Sequence, residues 1–226
     1  MIRPELDPPP PDLIAQWQTH GIVRVERFFR DEVAEEALRA LREAPHHLTV
    51  PTRTDLAYLM ASSEHRADPT SGSPLARMVA WWFTEGRAWV TALTGHDLVA
   101  PPSGVLLSTL YTKGCYLEPH NDQAPSRVLA FILGFTAETW EPSEGGYLEF
   151  LDTDASGQLH RTRRAPGFNT LDLFDVREGA FVHEIPILRT HRERRVMSGW
   201  FHRPGTTVES AGHLTPYPST AAGQGH

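Results

Sequence analysis

Pro119-His120-Asn121-Asp122 and, further along, Phe181-Val182-His183-Glu184-Ile185 are the two stretches whose reading decides this chain. A strand sends residues i and i+2 to the same face, so His120 and Asp122 can enter one cavity while Asn121 points away. Pro119 favours an extended backbone just before them. His183 shares its strand face with the apolar Ile185 and Ile187, which puts an imidazole inside a core where it needs a partner. Two imidazoles and one carboxylate from separate strands make the three-ligand set that suits mononuclear non-haem Fe(II), and such a set leaves coordination positions open.

Each piece alone has an ordinary explanation. His-x-Asp pairs are common in loops, and a buried histidine is more often hydrogen-bonded in the core than bound to a metal. The combination carries the weight, because Arg194 follows in a further strand. If Arg194 faces inward, Val196, Ser198 and Trp200 share its face. A desolvated guanidinium needs an anion, and a planar carboxylate meets its fork with two hydrogen bonds. A dicarboxylate that chelates the metal at one end and reaches the arginine at the other satisfies both. Arg195 is the competing choice, and a surface position within Arg192 to Arg195 is the alternative for either.

Working outward, the chain from Val105 reads as short strands parted by Gly, Pro, Asp and Asn: Val105–Tyr111, Arg127–Phe135, Gly146–Leu151, Asn169–Phe174, Phe181–Leu188 and Arg194–His202. That spacing predicts a sandwich or jelly roll. Before it come a helix from Asp12 to His20 closed by Gly21, a strand Ile22–Phe29, a helix from Asp31 to about Glu43 and a long helix from Ser73-Pro74 to Gly95. Helices first and strands afterwards place the helices on one face of the sheets, an all-β core with flanking helices. The stretch 46–73 has no sustained period and reads as a long loop, a candidate cover for the site. The whole, 1–226, is expected to be one domain: 1–103 as helical and strand support, 104–203 as the jelly-roll core and 204–226 as a loose tail.

With 226 residues, 40% of them apolar, the chain can bury a full core. A net charge of -7 argues against general electrostatic gripping of nucleic acid. The basic runs His160–Arg164 and Arg189–Arg195 read as solvated charge. The single Cys115 suits a reducing compartment, and the proline-rich start has no signal-peptide pattern. No apolar run suits a membrane span, so a cytoplasmic protein is expected.

The motifs Tyr111-x-x-Gly114-x-x-x-x-Pro119-His120-x-Asp122, Arg127 opening an apolar strand, Gly145-Gly146-Tyr147-Leu148, Asn169-x-Leu171-x-Leu173-Phe174-Asp175, His183-Glu184-Ile185 and Arg194-x-x-x-x-Gly199-Trp200-Phe201-His202 together resemble the prolyl-hydroxylase-like 2-oxoglutarate and Fe(II)-dependent dioxygenases. The resemblance covers Val105 to Arg203. It implies a double-stranded β-helix, the cupin-like jelly roll. It also implies His120, Asp122 and His183 as iron ligands and Arg194 as the partner of the distal carboxylate of 2-oxoglutarate. Dioxygen is then the co-reactant and ascorbate an optional reductant. Tyr111 matches a cosubstrate-contacting position, although it also reads as strand packing. Many relatives carry a serine two residues after the arginine. Val196 stands there instead, leaving Ser198 as the candidate hydroxyl. Arg127 and Trp200 are candidate substrate contacts. The implied reaction is hydroxylation of an unactivated C–H bond of a prolyl residue or proline-like amino acid. The same chemistry on a small metabolite is the alternative. A zinc hydrolase and a non-catalytic metal sensor of this fold are the readings from other classes, and oligomeric state is left open.

Overall fold

The computed structural model describes residues 1–49, 56–137, 139–153, 156–177, 181–207 and 215–216. Helix α1 (Pro11–His20) ends where Gly21 adopts a left-handed backbone, φ 62°, its N–H returning to Trp17 O. Strand β1 (Ile22–Glu26) follows, then helix α2 (Asp31–Glu43), which buries Ala34, Ala37, Leu38 and Leu41 along one stripe. Ser73 caps helix α3 (Pro74–Trp81) by accepting from the Ala76 N–H. The single long helix expected here is interrupted. Trp82–Gly86 forms a π-helical turn before α4 (Arg87–Thr94). Trp82 folds over Gly86, where a Cβ would lie 2.6 Å from Trp82 Cε3, so the apolar stripe continues across a local bulge.

The expected loop over 46–73 is corrected by two strands, β2 (His47–Thr49) and β3 (Tyr58–Arg66), with 50–55 outside the described residues. The physical reason is pairing. β3 alternates no clear apolar face, yet it is paired on both sides, to β2 through Met60–Ser62 and to β4 (Val105–Tyr111) through Ala61–Arg66, and its first residues, Tyr58 and Leu59, pair with β5 (Tyr116–Asn121). Further strands are β6 (Arg127–Phe135), β7 (Leu148–Thr153), β8 (Leu159–Arg164), β9 (Phe168–Asp175), β10 (Val182–Ile185) and β11 (Arg194–His202). Of the tail expected to be loose, Thr215–Pro216 (β12) pairs with β5, and most of the rest lies outside the described residues.

The strands are joined antiparallel in the order β1-β9-β6-β11-β4-β3-β5-β10-β7-β8. β3 is the hinge strand at which one sheet curls into the other, producing a half-barrel of the double-stranded β-helix type. Two cores result. The outer one lies between helices and sheet, where Trp82 packs edge-on to Phe131 with Phe201 beside it. The inner one fills the barrel with Tyr111, Phe150, Phe174, Ile185 and Leu188. β6 and β11 are buried on both faces, so β6 reads as an unbroken apolar run rather than an alternating one. Gly145, at φ 71°, carries the chain under the Ile187 carbonyl, where any Cβ would collide.

Candidate metal and anion site

Antiparallel pairing of β5 with β10 sets His183 directly opposite His120. Asp122 follows the last residue of β5, and all three side chains are buried. His120 Nδ1 lies 2.9 Å from Glu118 O and His183 Nδ1 2.9 Å from Phe181 O. Carbonyl oxygens only accept, so each Nδ1 carries the proton and each Nε2 presents a lone pair. Those two Nε2 atoms stand 3.5 Å from Asp122 Oδ1 and Oδ2 respectively. The ligand atoms all fall within 4.8 Å of one another, and the group could hold a metal ion. Such spacing suits donors placed about 2.1 Å from a common centre.

The electrostatics suit a cation. Burial pushes the Asp122 carboxyl up, but His183, His120 and Arg127 outweigh it and hold the group below the usual carboxylate range. Burial and the neighbouring His120 push His183 down to about 4. At neutral pH the centre is therefore one anionic oxygen donor beside a neutral His183, the protonation states in which they bind metals. Asp122 Oδ1 is buried without a hydrogen-bond partner, a cost that a ligand at the centre would remove.

A cavity of about 120 Å³ opens from this centre, and His120, Asp122, His183, Arg194, Tyr111, Ser198 and Trp200 all line it. Arg194 points inward and is 3% exposed, its guanidinium carbon 4.8 Å from the Tyr111 ring centroid. Burial lowers the Arg194 pKa, opposed by Tyr111, and Nε has no hydrogen-bond partner. Arg195 turns to the helix side, where Nη1 donates to Leu41 O at 3.0 Å and Nη2 pairs with Glu193. The alternation of the strand thus separates the two arginines. Arg127 lies outside the lining of that cavity. Its Nη1 donates to Asp122 O at 3.2 Å and its guanidinium stacks 3.6 Å above the Trp200 ring.

Ser198 sits on the same strand face as Arg194. It lines the cavity with Arg194, four residues and about 13 Å of backbone along β11 from it. A further hydroxyl on this cavity, which sequence reasoning missed, is Thr109. Register sets Thr109 opposite Val196, and Tyr111 opposite Arg194. Thr109 lines the same cavity and is 6% exposed. The hydroxyl absent at Val196 is thus available across the strand pair, which only pairing register reveals. The basic run on β8 is committed to acids: Arg161 to Glu149 and Glu184, Arg163 to Glu149, Arg164 to Asp172.

A family model described as the 2OG-Fe(II) oxygenase superfamily matches residues 106–202. A prolyl 3-hydroxylase OGFOD1 of Xenopus laevis is 30% identical over 188 residues, which are 81% of this chain and 34% of that protein. The chain spans from 25% to 37% of the length of the curated relatives it matches. Two solved structures share the fold. A Pseudomonas putida prolyl-4-hydroxylase has a TM-score of 0.61 at 20% identity, covering 86% of this chain and 98% of that one. A Trichoplax adhaerens prolyl hydroxylase in complex with a hypoxia inducible factor peptide fragment has a TM-score of 0.66 at 13% identity, covering 84% and 87%.

Proposed function

This chain belongs to the 2OG-Fe(II) oxygenase superfamily, and from that membership we propose that it is a dioxygenase hydroxylating a C–H bond of a prolyl residue. In this reading His120 Nε2, Asp122 and His183 Nε2 hold Fe(II), while Arg194, Tyr111 and Thr109 hold the distal carboxylate of 2-oxoglutarate. When bound, iron and 2-oxoglutarate together with dioxygen supply the oxidising power, and succinate and carbon dioxide leave.

The observation that carries the reading is the convergence of three buried ligand atoms within 4.8 Å in the same cavity as a buried arginine whose Nε lacks a partner. A dicarboxylate answers both deficits at once. The protein's own contribution is placement. Backbone carbonyls fix the two imidazoles, Leu148, Ile185 and Val196 exclude water, and Trp200 under Arg127 forms a wall for the substrate ring. The reading asks no general base of the chain, and Glu184, on the far strand face from His183, is bound to Arg161. The membrane question is narrower. Among the described residues no helix is long and apolar enough to cross a bilayer. A cytoplasmic location is proposed with this reading, supported by one cysteine in 226 residues.

The test is purified protein with Fe(II), 2-oxoglutarate and proline-containing peptides, followed by mass spectrometry. Succinate and a peptide heavier by one oxygen are expected. Succinate with oxygen gained only by free amino acids or metabolites would replace the prolyl reading with the small-molecule one.

A further inference from the structure

Beyond the metal cavity lies a groove of about 470 Å³ that shares Leu107, Ser198, Gly199 and Trp200 with it. Glu64, Leu107 and Ser198 pair in register and form one row across β3, β4 and β11. Leu107 is 37% exposed although it sits on an interior strand of the sheet. Pro101 and Pro102 border the groove. An apolar floor left open beside a polar wall is the form of a surface awaiting a ligand.

The charges of the groove are unequally committed. Arg127 is tied to Asp122 O and stacked on Trp200, and Arg66 donates to Ser103 O at 3.3 Å. His202 is pushed down to about 4 by burial and is neutral near pH 7. Glu64 is exposed and has no ion pair among the described residues. It stands two strand spacings from Ser198, about 10 Å, a distance that an extended polypeptide crosses in about three residues.

We propose that this groove seats an extended polypeptide substrate across β11, β4 and β3, and that Glu64 selects a basic side chain about three residues from the point where the chain leaves the metal cavity beside Ser198. The inference rests on the prolyl hydroxylase reading and adds to it the occupant of the groove and its charge. A free amino acid would fill the metal cavity and leave the groove beyond it, bordered by Glu64, Pro101 and Pro102, empty.

The experiment measures binding of proline-centred, alanine-rich decapeptides to the protein loaded with Mn(II) and 2-oxoglutarate, by fluorescence anisotropy. The peptides carry Lys, Ala or Glu at the third, fourth or fifth position before or after the proline. The Lys peptide of one series should bind about three- to fivefold more tightly than its Glu counterpart, the size of one partly exposed ion pair. Glu64→Lys should reverse that order, and Glu64→Gln should abolish it. Equal affinities for all peptides in the unaltered protein, or a preference that Glu64→Lys leaves in place, would overturn the proposal. Free L-proline binding as tightly as the peptides would overturn it as well. Because binding is read without turnover, failure to form succinate with Fe(II) would count against the oxygenase reading alone.

Discussion

The two faces of β11 differ in what they ask of the rest of the molecule. Its helix-side residues Met197 and Phe201 are fully buried in an apolar layer with Phe131 and Trp82. Its barrel-side residues Arg194, Ser198 and Trp200 line a cavity. Polar atoms without partners occur on both sides, but of different kinds. Outside the barrel they are the neutral Trp82 Nε1 and Thr91 Oγ1 and the Nε of Arg3, whose guanidinium is paired with Asp31, whereas inside the barrel they include Asp122 Oδ1 and Arg194 Nε, both on charged groups of the cavity. A buried charge left without its full set of hydrogen bonds costs stability unless something binds there. The outer face is built to stay folded and the inner face to be completed by ligands.

The largest way to break this contrast is to remove a centre ligand. His183→Ala should abolish succinate formation while leaving the circular dichroism spectrum unchanged. On the opposite face, Phe131→Ala should lower stability by about 3 to 5 kcal/mol in denaturant unfolding, because a fully buried ring leaves a cavity between Trp82 and Phe201. Arg194→Met should eliminate 2-oxoglutarate binding by calorimetry with the ligand-free melting midpoint unchanged or raised. Arg195→Met should keep that binding and lose about 1 kcal/mol of stability with its hydrogen bond to Leu41 O. Equal effects on binding would erase the distinction between the faces.

Acid should expose the inner face. His183 and His202 are each pushed from an ordinary 6.5 to about 4, mainly by burial. Below pH 6.5 the unfolded chain takes up protons that the folded one refuses, so stability falls as pH drops from 6.5 towards 4. The slope is at most about 1.4 kcal/mol per pH unit for each histidine. His202→Gln should flatten that slope in metal-free protein, and a slope that stays unchanged would remove His202 from the account. The smallest effect belongs to Thr109→Val, which should weaken 2-oxoglutarate binding about fivefold, the loss of one hydrogen bond of about 1 kcal/mol. Its melting midpoint should hardly move.

The same two faces explain what the sequence made legible. Period-two alternation separates Arg194 from Arg195, and the His-x-Asp spacing brings His120 and Asp122 to one cavity, so their facing follows from local rules. β3 was hidden because Tyr58–Arg66 mixes small and polar residues on both sides and is held by ladders to three strands, β2, β4 and β5, rather than by an apolar face. Thr109 was hidden because its relation to Arg194 depends on the pairing of β4 with β11, which no single stretch records. The π turn was hidden because the buried Met78 and Val79 before it and Trp89 and Val90 after it keep helical spacing. Local chemistry is read from one strand, whereas the ligand pocket is a property of register between strands.

The most direct test of the central claim is the yield of succinate from 2-oxoglutarate by the purified protein with Fe(II) and dioxygen in the presence of a proline-containing peptide. The account predicts about one succinate for each oxygen gained by the peptide, and no succinate from His183→Ala. No succinate from the unaltered protein, with iron shown to be bound, would contradict it.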